Sequence, residues 1–518
     1  MKNQSLSARI TGLVCSWLAG SVMLSMVAGC AVNPVTGKQE LNLVSRSQEI
    51  AIGQEQYLPS QQMQGGAFRT DPALTPYVSR VGQRIAGVTG IDLPYEFVVL
   101  NNSVPNAWAL PGGKIAVNRG LLTELDSEAE LAAVLGHEVA HATIGHGARQ
   151  IERGLVMQGV MMAAVLGARN SDYAGAVVGA GQLGAALITS KFSRDAEREA
   201  DYYGTGYMKA AGYNPLAAVT LQEKFVRLAR AQRQDWLSGL FSSHPPSMER
   251  VKNNQIRARE LGEQGEIGDV AYQQATAFLK KNREAYAAYD RARKALGDKN
   301  QALALKEVNQ ALQQLPIEAA FHGLRGDIRY GQERFPEAVT NYERALKLDD
   351  GYFAYYLGRG MAESRMNNLD AARFDLEKSL TLLPTAVAYN QLGRIAESTG
   401  DIQRALAYYK QASESGSSAG RAAAARYQAL DVQRNPGNYI TAIVSSNNGL
   451  LLLQVRNRTS HPLRNVVVRV VMQWADGARR DLTPKLGRLD AGAQKFLELP
   501  QHAADLTFAE AYVVSAEL

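Results

Sequence analysis

Leu131-Ala-Ala-Val-Leu-Gly-His137-Glu138-Val-Ala-His141 is the stretch from which this chain is best read. Ser127, with Glu130 three residues on, makes a capping box ahead of an apolar run, so a helix is predicted through the motif. On a helix, His137 and His141 lie one turn apart on the same face. Two imidazoles at that spacing hold a single zinc ion, and Glu138 stands beside them as a general base toward water. The chain has only seven histidines in 518 residues, which makes chance a poor explanation of an H-E-x-x-H run.

The rest of the composition sets limits. With 46% apolar and 20% charged residues the chain is folded and mostly soluble, and 518 residues call for several domains. A formal charge of +6 without a Lys/Arg-rich block argues against nucleic acid as a partner. Lys2 and Arg9 precede an uncharged run from Ile10 through Cys30, the pattern of a secretory signal over residues 1–29. Its end, Val27-Ala28-Gly29-Cys30, resembles the lipobox of bacterial lipoproteins. That resemblance implies cleavage before Cys30, acylation of its thiol, and loss of Cys15, the only other cysteine. It also implies a periplasmic protein held to the membrane by a lipid anchor, and Ala31 after the cysteine points to the outer membrane.

Asn33–Ser45 reads as a short tether. Helical patterns follow near Ser47–Tyr57 and Thr75–Ile85, the second with Val78, Val81 and Ile85 on one stripe. Tyr95–Leu100 reads as a strand, and residues 106–117 as two extended runs about a Pro111-Gly112-Gly113 turn. An unpaired edge strand just ahead of a metal helix suits recognition of an extended peptide. Two apolar runs, residues 154–168 and 174–190, are each short of a membrane span and are expected to form a buried helical hairpin over the cleft. Contact with a membrane surface is the sharper alternative for them.

Beyond residue 270 small residues recur in phase: Ala304, Ala338, Ala372 and Ala405, spaced 34, 34 and 33 apart, with Ala311, Ala345, Ser379 and Ala412 seven residues behind them. Ala292, Gly326, Gly360 and Gly393 keep the same register. These are the positions at which paired helices of tetratricopeptide repeats approach closely, and four units are expected to stack into a solenoid. After Tyr439 the chain turns β-like, with turn signals at Asn447-Asn448-Gly449 and Ala475-Asp476-Gly477. The expected fold is multidomain. A mainly α metallopeptidase domain with a small β-sheet covers residues 30–265, a repeat solenoid 270–433, and a small β-sandwich-like domain 436–518.

A catalytic zinc needs a third protein ligand. His146 on a continuing helix would lie about 180° from His137, so it is expected to be structural unless the helix breaks at Gly145. The run Ser193-Arg-Asp195-Ala-Glu197-Arg-Glu199-Ala-Asp201 offers two carboxylate pairs at helical spacing, Glu197/Asp201 and Asp195/Glu199. Spacing alone does not choose between them.

H-E-x-x-H followed some way on by E-x-x-A-D resembles the HtpX and CAAX-prenyl-protease family of zinc metallopeptidases. The resemblance implies a zincin-like fold and one zinc ion per chain, held by His137, His141 and Glu197 with Asp201 in support. Asn106-Ala107-Trp108-Ala109-Leu-Pro-Gly-Gly is similar to the family's segment that pairs with substrate backbone. His244-Pro-Pro-Ser-Met-Glu-Arg250 is similar to its H-P-x-x-x-x-R stretch. His244 and Arg250 are therefore expected near the metal as donors to the oxyanion, with His244 also a possible resting latch. Signal, peptidase and repeats in this order resemble periplasmic protease-chaperones of outer-membrane β-barrel assembly, although the β-rich end departs from them. The expected function is zinc-dependent endopeptidase action on misfolded or stalled envelope proteins, with the repeats recruiting substrates or the assembly machinery. The rival is a lipid-anchored chaperone or adaptor scaffold whose protease is dormant.

Overall fold

The computed structural model describes residues 30–154, 188, 191–231 and 239–518. Residues 1–29, read as a signal, and nearly all of the two apolar runs lie outside the described residues. Among those that are described, no helix is long and apolar enough to cross a membrane.

The segment expected to be a tether is folded. Strands β1 (Cys30–Val32) and β2 (Gln39–Leu41) pair antiparallel. The Asn33 side chain accepts from the Val35 and Thr36 amides, and Gly37 takes a positive φ of 69°. The Asn-Pro and Thr-Gly pairs are turn signals that outweigh the polar look of the stretch. Helix α1 (Arg46–Met63) follows, capped at Ser45 by a full capping box with Gln48. Helix α2 (Leu74–Ala86) buries Val78, Val81 and Ile85, as their spacing predicts.

Three strands form the small sheet in the order β3-β5-β4. β3 (Glu96–Leu100) runs parallel to β5 (Lys114–Asn118), and β4 (Ala107–Leu110) runs antiparallel to β5. The β4–β5 turn needs positive φ at Gly112 and Gly113, 76° and 83°. Among the described residues β4 is thus an edge strand. Helices α3 (Glu128–Ile144), α4 (Arg194–Ala210), α5 (Leu216–Arg230) and α6 (Met248–Leu261) complete the peptidase region. At the start of α3 the Ser127 hydroxyl accepts from the Glu130 amide, but the Glu130 carboxylate turns to the Asp126 amide, so only half of the expected box forms.

The apolar core crosses residue 265 without a break. Tyr272 and Leu279 of helix Asp269–Lys281 share one cluster with α2, α3 and the first repeat helices. By contacts, a first compact unit runs through Ala362 and includes Thr381–Leu383, and a second holds the remainder. Within the first unit the buried Glu318 carboxylate accepts from Thr70, Asn101, Tyr286 and the Ala320 amide, at 2.7, 2.9, 2.7 and 3.1 Å.

The in-phase small residues lie at helix contacts. A Cβ on Gly326 would stand 2.7 Å from the Tyr342 ring in the first unit, and one on Gly393 would stand 2.6 Å from Tyr409 in the second. The second unit ends in two sheets, β11-β7-β6 and β10-β8-β12, with β9 also on β8. These are β6 (Ile440–Asn447), β7 (Leu450–Asn457), β8 (Leu463–Trp474), β9 (Arg479–Leu482), β10 (Lys485–Leu489), β11 (Gln494–His502) and β12 (Leu506–Glu517). Asn448 and Gly449, both at positive φ, close the β6–β7 hairpin as the Asn-Gly signal predicts. Val455, Val468, Val470 and Met472 fill the space between the sheets.

Glu318→Ala takes the acceptor from four donors. It is expected to cost about 1–3 kcal/mol and lower the thermal midpoint of the full chain, with Glu318→Gln falling in between. A variant with the parental midpoint would show that this joint does not depend on the carboxylate.

Candidate metal centre

From Ala129 to Ile144 every residue of α3 is buried except His137, which is only partly so. A helix apolar on all sides belongs in a core, and this one lies between α2, α4, α5 and the sheet. It meets α4 backbone to backbone. A Cβ on Gly136 would sit 2.8 Å from the Gly204 carbonyl oxygen, and one on Gly204 would sit 2.7 Å from the Gly136 oxygen and 2.9 Å from the His137 amide. That approach brings one face of α4 against the two histidines.

Burial separates the two carboxylate pairs that spacing leaves equal. Glu197 and Asp201 are buried toward α3. Asp195 is exposed and pairs with Arg198, while Glu199 turns toward His146 and Lys38. His244 arrives on the loop after the short turn Leu240–Ser243, whose Leu240 amide donates to the Pro105 carbonyl just ahead of β4.

Four donor atoms converge. His137 Nε2 lies 3.0 Å from His141 Nε2 and 3.2 Å from His244 Nδ1. Glu197 Oε1 is 3.4 Å from His141 Nε2 and 2.9 Å from His244 Nδ1, and its Oε2 is 3.5 Å from His137 Nε2. Ligand bonds of about 2.0–2.1 Å in a tetrahedron put donors about 3.3–3.4 Å apart, so one ion fits among these four. The Glu138 Oε2 atom is buried and without a hydrogen-bond partner among the described residues.

Behind this set, Asp201 Oδ1 lies 2.9 Å from His137 Nδ1. Arg250, from the first turn of α6, donates to both Asp201 oxygens at 2.7 Å and forms an ion pair with Glu197 Oε2 at 2.8 Å. Burial opposes charge on Glu197, but His244, Arg250 and His137 outweigh it and hold the carboxyl well below its usual range. Asp201 is likewise held down by Arg250 and His137 against its burial. Burial works against protonation of His137 too, yet Glu197 and Asp201 raise it to about 10. His141, where burial dominates, is lowered. Burial pushes the Glu138 carboxyl up, against the pull of His244 and His137.

The profile of peptidase family M48 matches residues 72–258, and a tetratricopeptide profile matches residues 386–415. The metalloprotease LoiP of Escherichia coli is 31% identical over 35% of this chain and 71% of its own length. This chain belongs to peptidase family M48. Two further relatives extend the comparison. The mitochondrial metalloendopeptidase OMA1 of Schizosaccharomyces pombe is 36% identical over 42% of this chain, which spans 64% of that protein's length. The β-barrel assembly-enhancing protease of Escherichia coli is 27% identical over 65% of this chain and 74% of its own length. The chain is thus an M48 metallopeptidase followed by tetratricopeptide repeats, ending in strands.

The M48 site differs from the reading by sequence in three places. Arg250, expected as an oxyanion donor, is taken up by Asp201 and Glu197, two buried carboxylates that need a counter-charge. Helix α3 does break at Gly145 (φ 78°), and His146 swings back until its Nδ1 is 2.7 Å from His141 Nδ1. Phe192, which no spacing rule selects, stacks on the His141 ring at 4.0 Å between centroids. Asn106–Ala109 are placed as read, with Ala107–Ala109 forming most of edge strand β4. Asn106 Oδ1 and Trp108 Nε1 are buried without partners among the described residues, and Trp108 packs edge-on against Tyr57.

Gly204→Ala forces backbone apart at the α3–α4 contact. It is expected to cost about 1–3 kcal/mol and to reduce bound metal per chain well below one. Gly206→Ala, on the same helix, meets only an Arg257 side-chain nitrogen at 3.4 Å and should leave metal content unchanged. Full metal loading of Gly204→Ala would show that the close approach is dispensable.

Proposed function

We propose that this chain is a zinc-dependent endopeptidase of the bacterial envelope, acting on unfolded or misassembled envelope proteins that its repeats help to recruit. The observation that carries the reading is the convergence of His137, His141, Glu197 and His244 on one point beside Glu138. Bound there, zinc supplies a Lewis acid for the scissile carbonyl and acidifies water.

The residues supply the rest. Glu138, whose proton affinity burial raises, takes a proton from the attacking water and passes it to the leaving amide nitrogen. Asp201 fixes the tautomer and ring plane of His137, and Arg250 keeps Asp201 and Glu197 ionised and in place. The edge of β4 offers backbone groups from Asn106 to Ala109 to an extended substrate, as a strand added to the sheet.

His244 stands among the metal donors by its Nδ1, with Nε2 3.7 Å from Glu138 Oε1. In that position it is a latch, closing the site to water and substrate at rest. Its displacement by a substrate strand would clear the site for water and the scissile carbonyl. This placement also favours a second role, a chaperone scaffold whose protease stays closed until the latch moves.

The name of the Escherichia coli relative, the resemblance around Cys30 and the repeats support a lipid-anchored envelope protein, at the outer membrane, working with β-barrel assembly. Labelling of Cys30 by a radioactive fatty acid in a bacterial host tests the anchor. Loss of label in Cys30→Ser is the expected outcome, and label retained in that variant would sink it.

Glu138→Gln is expected to keep one zinc per chain and lose casein cleavage at least about 100-fold, the scale of a lost general base. Glu197→Ala should lose stoichiometric zinc. His244→Ala should keep zinc, through the three remaining donors, and cleave casein faster than the parent. Slower cleavage by His244→Ala would make the imidazole a participant and not a latch. Turnover that persists in excess chelator would remove the metal from the reaction.

A further inference from the structure

The two histidines of the motif are supported differently from outside. His137 hands its Nδ1 directly to a carboxylate, Asp201. His141 does not. Its Nε2 faces the other donors, 3.4 Å from Glu197 Oε1, and its Nδ1 faces His146 Nδ1 at 2.7 Å. His146 Nε2 lies 3.3 Å from Glu199 Oε2.

The proton positions along this line follow from chemistry. A ring nitrogen that binds a cation uses its lone pair, so the other nitrogen of the neutral ring carries the proton. His141 Nδ1–H therefore donates to His146 Nδ1. That leaves His146 with its proton on Nε2, donating to Glu199. Each nitrogen has one role and none is left over.

The geometry behind this line is built. Gly145 in the left-handed region turns the chain after α3, so that His146, buried, meets a histidine it would miss on a continuous helix. Glu199 is held in turn. Lys38 pairs with its Oε1, and Arg149 lies 3.4 Å from its Oε2. Arg149 also donates to Glu40 at 2.6 Å, and Asn33 donates to the Ile144 carbonyl at the end of α3 at 2.9 Å. Lys38, Glu40 and Asn33 all belong to the β1–β2 hairpin that opens at Cys30.

We propose that His146 and Glu199 are positioning residues for the metal ligand His141, and that the β1–β2 hairpin holds them in place from outside. This rests on the zinc reading above. It deepens that reading by making the segment next to Cys30 part of the support of the metal. Hydrogen-bonded partners behind a ligand histidine typically contribute 10–100-fold to metal affinity or activity. Lys38 itself is exposed, and its pair with Glu199 contributes little alone.

The test uses the full chain with zinc alone, titrated against a chelator of known affinity, and with cobalt in its place for absorption spectroscopy. His146→Leu and Glu199→Ala are expected to bind zinc about 10–100-fold more weakly and to shift the cobalt spectrum. His146→Asn, whose amide oxygen can accept from His141 Nδ1, should recover most of the affinity. Asp195→Ala, an exposed change on the same helix, should match the parent. Glu199→Ala lies at the edge of the site and serves if His146→Leu does not fold. Parental affinity and an unshifted spectrum in the variants would overturn the proposal and leave the peptidase reading standing. A parent that takes up neither metal would overturn both.

Discussion

The contact between Gly136 and Gly204 is the constraint from which the site follows. With no side chain between them, α3 and α4 approach until a Cβ on either would collide with the other's backbone. Only at that separation do one carboxylate from α4, Glu197, and two imidazoles from α3 reach a common point, with Asp201 behind them on His137. A wider crossing would demand longer ligands or a different ion. The residues near Gly136 and Gly204 belong to the same cluster: His137 follows one glycine, and Asp201, which meets His137, stands three before the other.

Once the helices are that close, charge becomes the second constraint. Glu138, Glu197 and Asp201 are all buried, and one buried cation, Arg250, stands among them. With neutral imidazoles the cluster lacks two positive charges. Buried charge left uncompensated is costly, and an elevated proton affinity is how a group reports such a deficit. His137, raised to about 10 by Glu197 and Asp201, reports it here. A divalent ion removes the deficit without protonating a ligand. The same bookkeeping explains Arg250: its guanidinium cannot serve a transient oxyanion while two permanent carboxylates claim it.

Legibility in the sequence followed the range of the interaction. The motif helix, the α2 stripe, the repeat register and the Asn448-Gly449 hairpin depend on neighbours within a few residues or on a fixed period, and all could be read. Glu197 over Glu199 could not be chosen by spacing, because both pairs have it. Burial against α3 chose it, and burial is a tertiary fact. For His146 the sequence holds a local signal, since glycine at 145 can end the helix; it does, and His146 meets His141 from behind without joining the converging donors. Phe192 and the partnership of Arg250 with Asp201 leave no local trace. The hairpin lies largely within the stretch Asn33–Ser45 that reads as a tether, since strands of three residues are too short to show a period. Its Asn-Pro and Thr-Gly turns were the signal that could have corrected this.

Where the peptidase gives way to the repeats, sequence pattern and packing part company. The sequence changes character near residue 270, where periodic small residues begin, but packing does not change there. Tyr272 donates to the Leu122 carbonyl from inside the peptidase core, and Arg119 stacks on Tyr286 of the first repeat pair at 3.7 Å. Glu318 then receives donors from both sides of the supposed boundary. A buried carboxylate with four partners tolerates little sliding, since any shift strands a donor in a low-dielectric interior. The first repeats are therefore fixed to the peptidase by directional polar contacts set in an apolar core. The first repeats thus keep one orientation to strand β4.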